Sequence, residues 1–494
     1  MASKHTMLRS ALLLTAANLM MRAVSMLFQI YLSDCIGAAG LGLLQLILTV
    51  NAFAMTIGTS GIRVAAMYLS AQEYGRKRLG GVRQAMLWCM GAGILLSMVV
   101  GLLLVLFAEP LAVHWVKDLQ AADSLRLLGA TLPIACMSSI LAGYFTACGK
   151  VLRLVLVEIG DRVLTVFLTI WLLSLGLQDD LRHACVSIVG GSALAGAASV
   201  LVLAGLMLLD FRTYDAPNEP LHMGQRLIRL CVPVALNDYL RSGLGTLEQF
   251  LIPHGLTQSE GNRRLALENY GTIQGMVFPI LMFPSTILFA VSDLLVPELS
   301  RCQASGNRNR IGRITGRVLE KSMIYACAAA GFLYVLADPL GILLYDSKQA
   351  GLYLQIFAPM IPMLYLDCIV DGMHKGLGQQ VYCVRLNTVT ALLDVVFLFL
   401  LLPVWGVGGF IFSFLVTHAI NFWFSLRRLL QVSGCDLSRS ALVRPIFCAG
   451  FAAVCAVNVL PEATGWISVL FTGGLYLAIL GLLLILLFRR FPLS

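Results

Sequence analysis

Two Asn-x-x-x-Arg pairs sit inside long apolar runs, Asn18 with Arg22 and Asn237 with Arg241. An i, i+4 spacing puts both side chains on one helix face. There an amide and a guanidinium can converge on phosphate oxygens, which arginine's planar fork of donors grips in bidentate fashion. Arg63 and Arg162 are the other two arginines in apolar stretches. A charged residue at the middle of a membrane span costs about 3 kcal/mol, so each of the four is a candidate for function. Each also has a structural explanation. Arg241 has Glu248 two turns on, Arg162 has Glu158 one turn before, and Arg63 can snorkel toward a surface. The carboxylates in comparable surroundings are Glu248, Asp293, Asp367, Asp371 and Asp394. Asp367 and Asp371 share a helix face, and paired carboxylates in a low-dielectric cavity bind Na⁺ or share a proton. That chemistry would serve ion coupling; the acids can equally act as hydrogen-bond partners in helix packing.

The elements that must carry these groups are membrane helices. Of 494 residues, 59% are hydrophobic and 12% charged, with a mean hydropathy of +0.85, whereas a soluble domain carries about 25% charged residues. That shortage of charge excludes a soluble multidomain enzyme, a disordered chain and a nucleic-acid-binding protein. There is no phosphate-binding G-x-x-x-x-G-K-[ST] loop, no H-E-x-x-H and no nucleophile elbow, so neither a built-in ATPase nor a hydrolase is expected. None of the thirteen cysteines has C-x-x-C spacing, and most lie in apolar runs where a thiol packs as a small hydrophobe. No cofactor or metal is expected beyond a coupling Na⁺ or H⁺, and the chain is expected to be monomeric.

A spanning helix needs about 20 apolar residues. Fourteen fit, near 8–31, 41–69, 84–107, 125–147, 154–176, 185–209, 228–252, 270–298, 318–336, 352–373, 382–403, 407–430, 442–460 and 465–488. The first is read as a retained helix, since no small-residue cleavage site follows it. Of 35 lysines and arginines, twenty-five fall in the termini and even-numbered connections, six in odd-numbered connections and four within spans. Basic loops stay cytoplasmic, which places both termini inside and requires an even number of spans. Topology and contact with anionic lipids then account for the excess positive charge. Pro133, Pro279 with Pro284, and Pro359 with Pro362 are expected to interrupt spans 4, 8 and 10.

The chain also repeats itself at an offset of about 229 residues. Gly42-x-x-Gln45 recurs as Gly271-x-x-Gln274, and Ala108-Glu109-Pro110-Leu111 as Ala337-Asp338-Pro339-Leu340. Pro133, Gly143 and Gly149 recur as Pro362, Gly372 and Gly378. At slightly shorter offsets Asn18 and Arg22 match Asn237 and Arg241, and Val189-Gly190-Gly191 matches Val407-Gly408-Gly409. Arg63 would match Ser292 or Asp293. Six spans per repeat predict an all-α polytopic membrane protein of about fourteen transmembrane helices. Its two six-helix lobes would be related by a pseudo-two-fold along the membrane normal, with an appended C-terminal hairpin. The expected division is 1–210 for the first lobe, 211–227 for a cytoplasmic linker, 228–431 for the second lobe and 432–494 for the hairpin.

Several of these residues carry a family resemblance: Asn18-x-x-x-Arg22, the run Ile36-Gly37-Ala38-Ala39-Gly40-Leu41-Gly42-Leu43-Leu44-Gln45, Gly61-Ile62, and in the eighth span Gly271, Gln274, Pro279 and Pro284-Ser285. The chain resembles stage V sporulation protein B-like proteins of the multidrug/oligosaccharidyl-lipid/polysaccharide (MOP) exporter superfamily. The resemblance implies a flippase of the bacterial plasma membrane that moves an undecaprenyl-pyrophosphate-linked saccharide by alternating access. Its implied partners are the lipid-linked anionic saccharide and membrane lipids, and its implied role lies in peptidoglycan, polysaccharide or spore envelope synthesis. It also implies a cationic cavity, with the family's first-span arginine at Arg22; relatives commonly have Pro at position 63, so Arg63, with Asn18, Asn237 and Arg241, is a candidate contact from the residue pattern alone. The alternative is a cation-coupled multidrug antiporter, whose chemistry wants carboxylates in the cavity and few arginines.

Overall fold

The computed structural model describes residues 2–59, 61–175, 181–212, 223–435, 439–459 and 465–490, with the backbone alone for 2–18, 439–442, 459, 468 and 487–490. Among the described residues the regular structure is entirely helical. In chain order the long helices are α1 (Ala2–Thr59), α2 (Ile62–Gly75), α3 (Leu79–Leu106), α4 (Ala121–Ala147), α5 (Val151–Ser174), α6 (Leu181–Phe211) and α7 (Met223–Glu260). They continue with α8 (Arg263–Met282), α9 (Ser285–Ala304), α10 (Arg308–Val335), α11 (Lys348–Gly376), α12 (Gln380–Trp405), α13 (Val407–Ser433), α14 (Arg439–Val459) and α15 (Trp466–Arg490). Nine of the described helices are long and apolar enough to cross a membrane, and the bent pair α8–α9 makes a tenth. Charge lowers α5 and α7 below that measure: α5 carries Glu158, Asp161 and Arg162, and α7 carries Asp238, Arg241 and Glu248. The apolar side chains that remain exposed, such as Leu95 and Leu102 on α3 or Phe399 on α12, suit a hydrocarbon solvent. The chain is a multi-pass membrane protein.

Glycine and proline place the breaks, with two departures from expectation. The first two spans form one helical run, turned at Gly37 (φ 67, ψ 179), a backbone conformation open only to glycine. The second span does not run straight to residue 69 but breaks at Gly61 (φ 77), where α2 starts. Pro284 bends α8 against α9 by 60°, and Pro359 falls in a 3-10 turn, Ala358–Met360, ahead of Pro362. Pro133, by contrast, lies inside α4 without ending it.

The duplication is written in the backbone. Left-handed residues recur in pairs at the same offset: Lys77 (φ 58) with Gly306 (φ 68), Lys117 (φ 57) with Asp346 (φ 47), and Gly149 (φ 71) with Gly378 (φ 68). The residues that open α3 and α10 also match, Arg78 (φ −95, ψ 76) with Asn307 (φ −84, ψ 74). A Cβ on Gly143 would meet the Arg63 carbonyl at 3.0 Å, and one on Gly372 would strike Ser292. That shared close approach identifies Ser292, not Asp293, as the counterpart of Arg63.

Packing divides the chain into two units, Met1–Phe28 with Cys35–Leu251, and Gln29–Asp34 with Ile252–Ser494. This division follows contacts rather than the repeat, so α7 up to Leu251 belongs to the first unit. Of the expected 211–227 linker, residues 213–222 lie outside the described residues. The first unit's core joins Ile62, Leu69, Val82, Met86, Tyr144, Phe145 and Phe211 to Met223 and Leu227 of α7. A buried ion pair adds to this seam: Arg226 Nη1 lies 3.0 Å from Glu73 Oε1, and its Nη2 donates to Gln72 Oε1 at 2.5 Å. The second unit centres on an aromatic cluster of Phe278, Phe357, Phe410 and Phe414. There Tyr365 donates to the Leu281 carbonyl at 2.6 Å.

Candidate functional site

The first unit builds a polar cavity of about 360 Å³ from two helices, lined by Thr56 and Thr59 of α1 and by Asp238, Arg241 and Ser242 of α7. Gly61 lets the two approach, because a Cβ there would fall 2.5 Å from the Cys231 carbonyl oxygen. Tyr239 then donates to the Ile57 carbonyl and Ser242 Oγ to Thr56 Oγ1, both at 3.1 Å. The hydroxyl protons are already engaged, since Thr56 donates to Ala52 O at 2.9 Å and Thr59 to Met55 O at 2.7 Å. What these hydroxyls offer the cavity is lone pairs. The strong donors on its wall are the N–H groups of Arg241, which makes no ion pair among the described residues. Glu248, the acid proposed to neutralise it, is half-buried and has interactions of its own. One guanidinium, one carboxylate and three hydroxyls in a small cavity can hold an anion at Arg241 or a cation at Asp238.

The structure gathers only part of the expected set. Arg241 lines the cavity, whereas Asn237, one residue outside the Asp238–Arg241–Ser242 face, is exposed and not part of the lining. Arg22 is exposed on α1 and also lies off that wall, and the Asn18 side chain lies outside the described residues. Arg63 is exposed at the start of α2, where Glu158 of α5 lies within its electrostatic reach. Asp238 was missed from sequence because the i, i+4 Asn–Arg pattern drew attention to its neighbour. The usable signal was the i, i+3 spacing of Asp238 and Arg241.

Three acids of the second unit, Asp293, Asp367 and Asp371, lie within electrostatic reach of Cys368. Asp394 is buried and accepts hydrogen bonds from Ser413 at 2.6 Å and Thr417 at 3.1 Å. Asp367 and Asp371 are half-buried on α11, and Asn421 of α13 donates to Asp367 at 3.2 Å. Asp293 is exposed beside Ser292, which itself donates to the Cys368 carbonyl at 3.0 Å. Among the described residues no three His, Cys, Asp or Glu side chains converge as a metal site.

The comparisons with known proteins agree with this architecture. The family model described as "Polysaccharide biosynthesis protein" matches residues 7–303. Stage V sporulation protein B of Bacillus subtilis (strain 168) is 23% identical over 423 residues, which covers 82% of this chain and 80% of that protein. Among solved structures, the lipid II flippase MurJ in an inward closed conformation matches with a TM-score of 0.73 at 11% identity, covering 97% of this chain and 99% of that one. An inward-facing multidrug resistance transporter of the MATE family, in the MOP superfamily, matches with a TM-score of 0.63 at 14% identity, covering 85% and 99%. These likenesses show a shared transporter fold.

Proposed function

The chain belongs to the polysaccharide biosynthesis protein family, and on that premise we propose that it is a transporter of the MOP superfamily rather than an enzyme, a lipid-linked saccharide flippase. Its cargo is an undecaprenyl-pyrophosphate-linked saccharide, carried outward across the bacterial plasma membrane by alternating access. The observation that supports this reading is Arg241, a guanidinium with no ion pair among the described residues, on the wall of a cavity lined by hydroxyls and Asp238. Arg22, Asn18, Arg63 and Asn237 are the further contacts the reading assigns to the headgroup. With both termini cytoplasmic, a negative interior favours outward movement of an anion by about 2.3 kcal/mol per charge per 100 mV. A Na⁺ or H⁺ held at Glu248, Asp293, Asp367, Asp371 or Asp394 would be the other source of drive.

The experiment is complementation of a bacterial strain depleted of its lipid II flippases. Wild-type protein restores growth, while Arg22→Ala and Arg241→Ala do not, at normal membrane expression. Full growth of both variants refutes the reading. Asp238 favours a second reading, a cation-coupled drug exporter, because a carboxylate in the cavity suits a cationic substrate. Loss of drug resistance in Asp238→Asn, with complementation intact, would select it.

A further inference from the structure

The duplication supplies an internal control at the basic ends of the helices. In the first unit, Asp210 at the end of α6 grips the start of α5. Lys150 Nζ lies 2.6 Å from its carboxylate and Arg153 Nη1 3.3 Å, and Tyr144 donates to it at 3.1 Å. At the established offsets, Lys150 corresponds to Gln379, Arg153 to Tyr382 and Asp210 to Arg428. The second unit keeps the same clasp with its chemistry inverted. Arg428, at the end of α13, donates to Gln379 Oε1 from Nε at 3.2 Å and from Nη2 at 2.8 Å. Its guanidinium also lies 5.5 Å from the Tyr382 ring centre.

The electrostatic outcome differs. In the first unit both cations are paired with a carboxylate; in the second the cation's two partners are neutral. A half-buried guanidinium fixed by an amide oxygen and an aromatic face loses little freedom on meeting an anion. More cations gather around it. Arg427 follows on α13, and Lys375 closes α11 beside His374, whose ring centre lies 6.1 Å from that of Tyr382. Asp371, Asp367 and, more weakly, Lys375 are within electrostatic reach of Cys383, and Arg385 lies one turn beyond Tyr382 on α12. Lys375, Arg385 and Arg427 are exposed, and none of the four cations makes an ion pair among the described residues. The neighbouring groups on α11 and α13 are the neutral hydroxyl of Ser425, whose carbonyl bonds His374 at 2.9 Å, and the carboxylates Asp371, one turn before Lys375, and Asp367, one turn further back.

We infer that the converging ends of α11, α12 and α13 form a docking site for the phosphate headgroup of an anionic membrane lipid, with Arg428 as the primary contact. Basic pockets between the ends of spans recognise lipid phosphates in this way. The site shares no residue with the Arg241 cavity and does not depend on the flippase reading.

The test uses purified full-length protein in phosphatidylcholine nanodiscs doped with phosphatidylglycerol, with bound lipid read by native mass spectrometry. Gln379→Glu restores an internal carboxylate, as in the first unit, while keeping Arg428; it should weaken phosphatidylglycerol retention about fivefold. Arg428→Gln should do the same, and Lys150→Gln, at the matched but ion-paired position, should leave retention unchanged. Retention equal to wild type in both Gln379→Glu and Arg428→Gln overturns the assignment. So does displacement of the lipid by inorganic phosphate, which would make the site a receptor for a free anion.

Discussion

Replacing Arg226 by Met tests whether the start of α7 is an integral part of the first unit. Glu73, its partner, has no exposed side-chain surface, and its second oxygen, Oε2, has no hydrogen-bond partner among the described residues. Removing one member of a buried pair costs about 3–5 kcal/mol, because the remaining charge is left uncompensated. Two features put the expected loss at the lower end, about 3 kcal/mol. Arg226 keeps 28% of its side-chain surface, and Arg76 stands 3.7 Å from Glu73 as a secondary cation. In the double variant Glu73→Leu/Arg226→Met the unpaired charge is gone, and apolar replacement of a buried pair is often close to neutral. Unfolding in mixed micelles, titrated with a denaturing detergent and followed by tryptophan fluorescence, should therefore rank wild type first, the double variant just below it, and Arg226→Met well below both. A double variant as unstable as the single one would refute the reasoning, since the loss would then come from packing and not from a stranded carboxylate.

Three further outcomes follow from the geometry. Gly61→Ala adds about 1–2 kcal/mol of left-handed backbone strain and a methyl against the Cys231 carbonyl. It should abolish complementation at normal expression, and retained growth would show that α7 does not need this approach. Ser413→Ala removes the shorter of the two hydroxyl bonds to buried Asp394 and should cost about 1–3 kcal/mol of stability, whereas Ser413→Thr should be nearly silent; the same detergent unfolding reads both. Asp210→Asn removes the carboxylate that holds Lys150 and Arg153 and should cost about 1 kcal/mol, with Lys150→Gln adding little in that background.

Much of the fold was legible because membrane spans are written in composition. Apolar runs and the alternation of basic loops located the spans, and the Ala-acid-Pro-Leu tetrad exposed the repeat, which the matched left-handed residues Lys117 and Asp346 then confirmed in the backbone. The break at Gly61 was harder to see, since glycine in a small-residue run reads equally as a packing site. The harmless passage of α4 through Pro133 was also hidden, because it depends on neighbours that accommodate the freed carbonyl. The site was half legible. Arg241 was found from its cost in an apolar helix. Asp238, Thr56 and Thr59 were not, because only the tertiary approach of α7 to the end of α1 decides which face of each helix lines a cavity. The sequence repeat likewise says nothing of which unit α7 packs into; the Glu73–Arg226 pair and the Met223 and Leu227 contacts decide that.

The central claim is that the Arg241 guanidinium on the cavity wall receives a phosphate-bearing headgroup. Equilibrium binding of undecaprenyl pyrophosphate to the purified protein in nanodiscs, comparing wild type, Arg241→Gln and Asp238→Asn, tests it most directly. Loss of a charge-assisted contact predicts binding at least about tenfold weaker in Arg241→Gln, and removal of the competing carboxylate predicts tighter binding in Asp238→Asn. Unchanged affinity in Arg241→Gln, or weaker binding in Asp238→Asn, would contradict it.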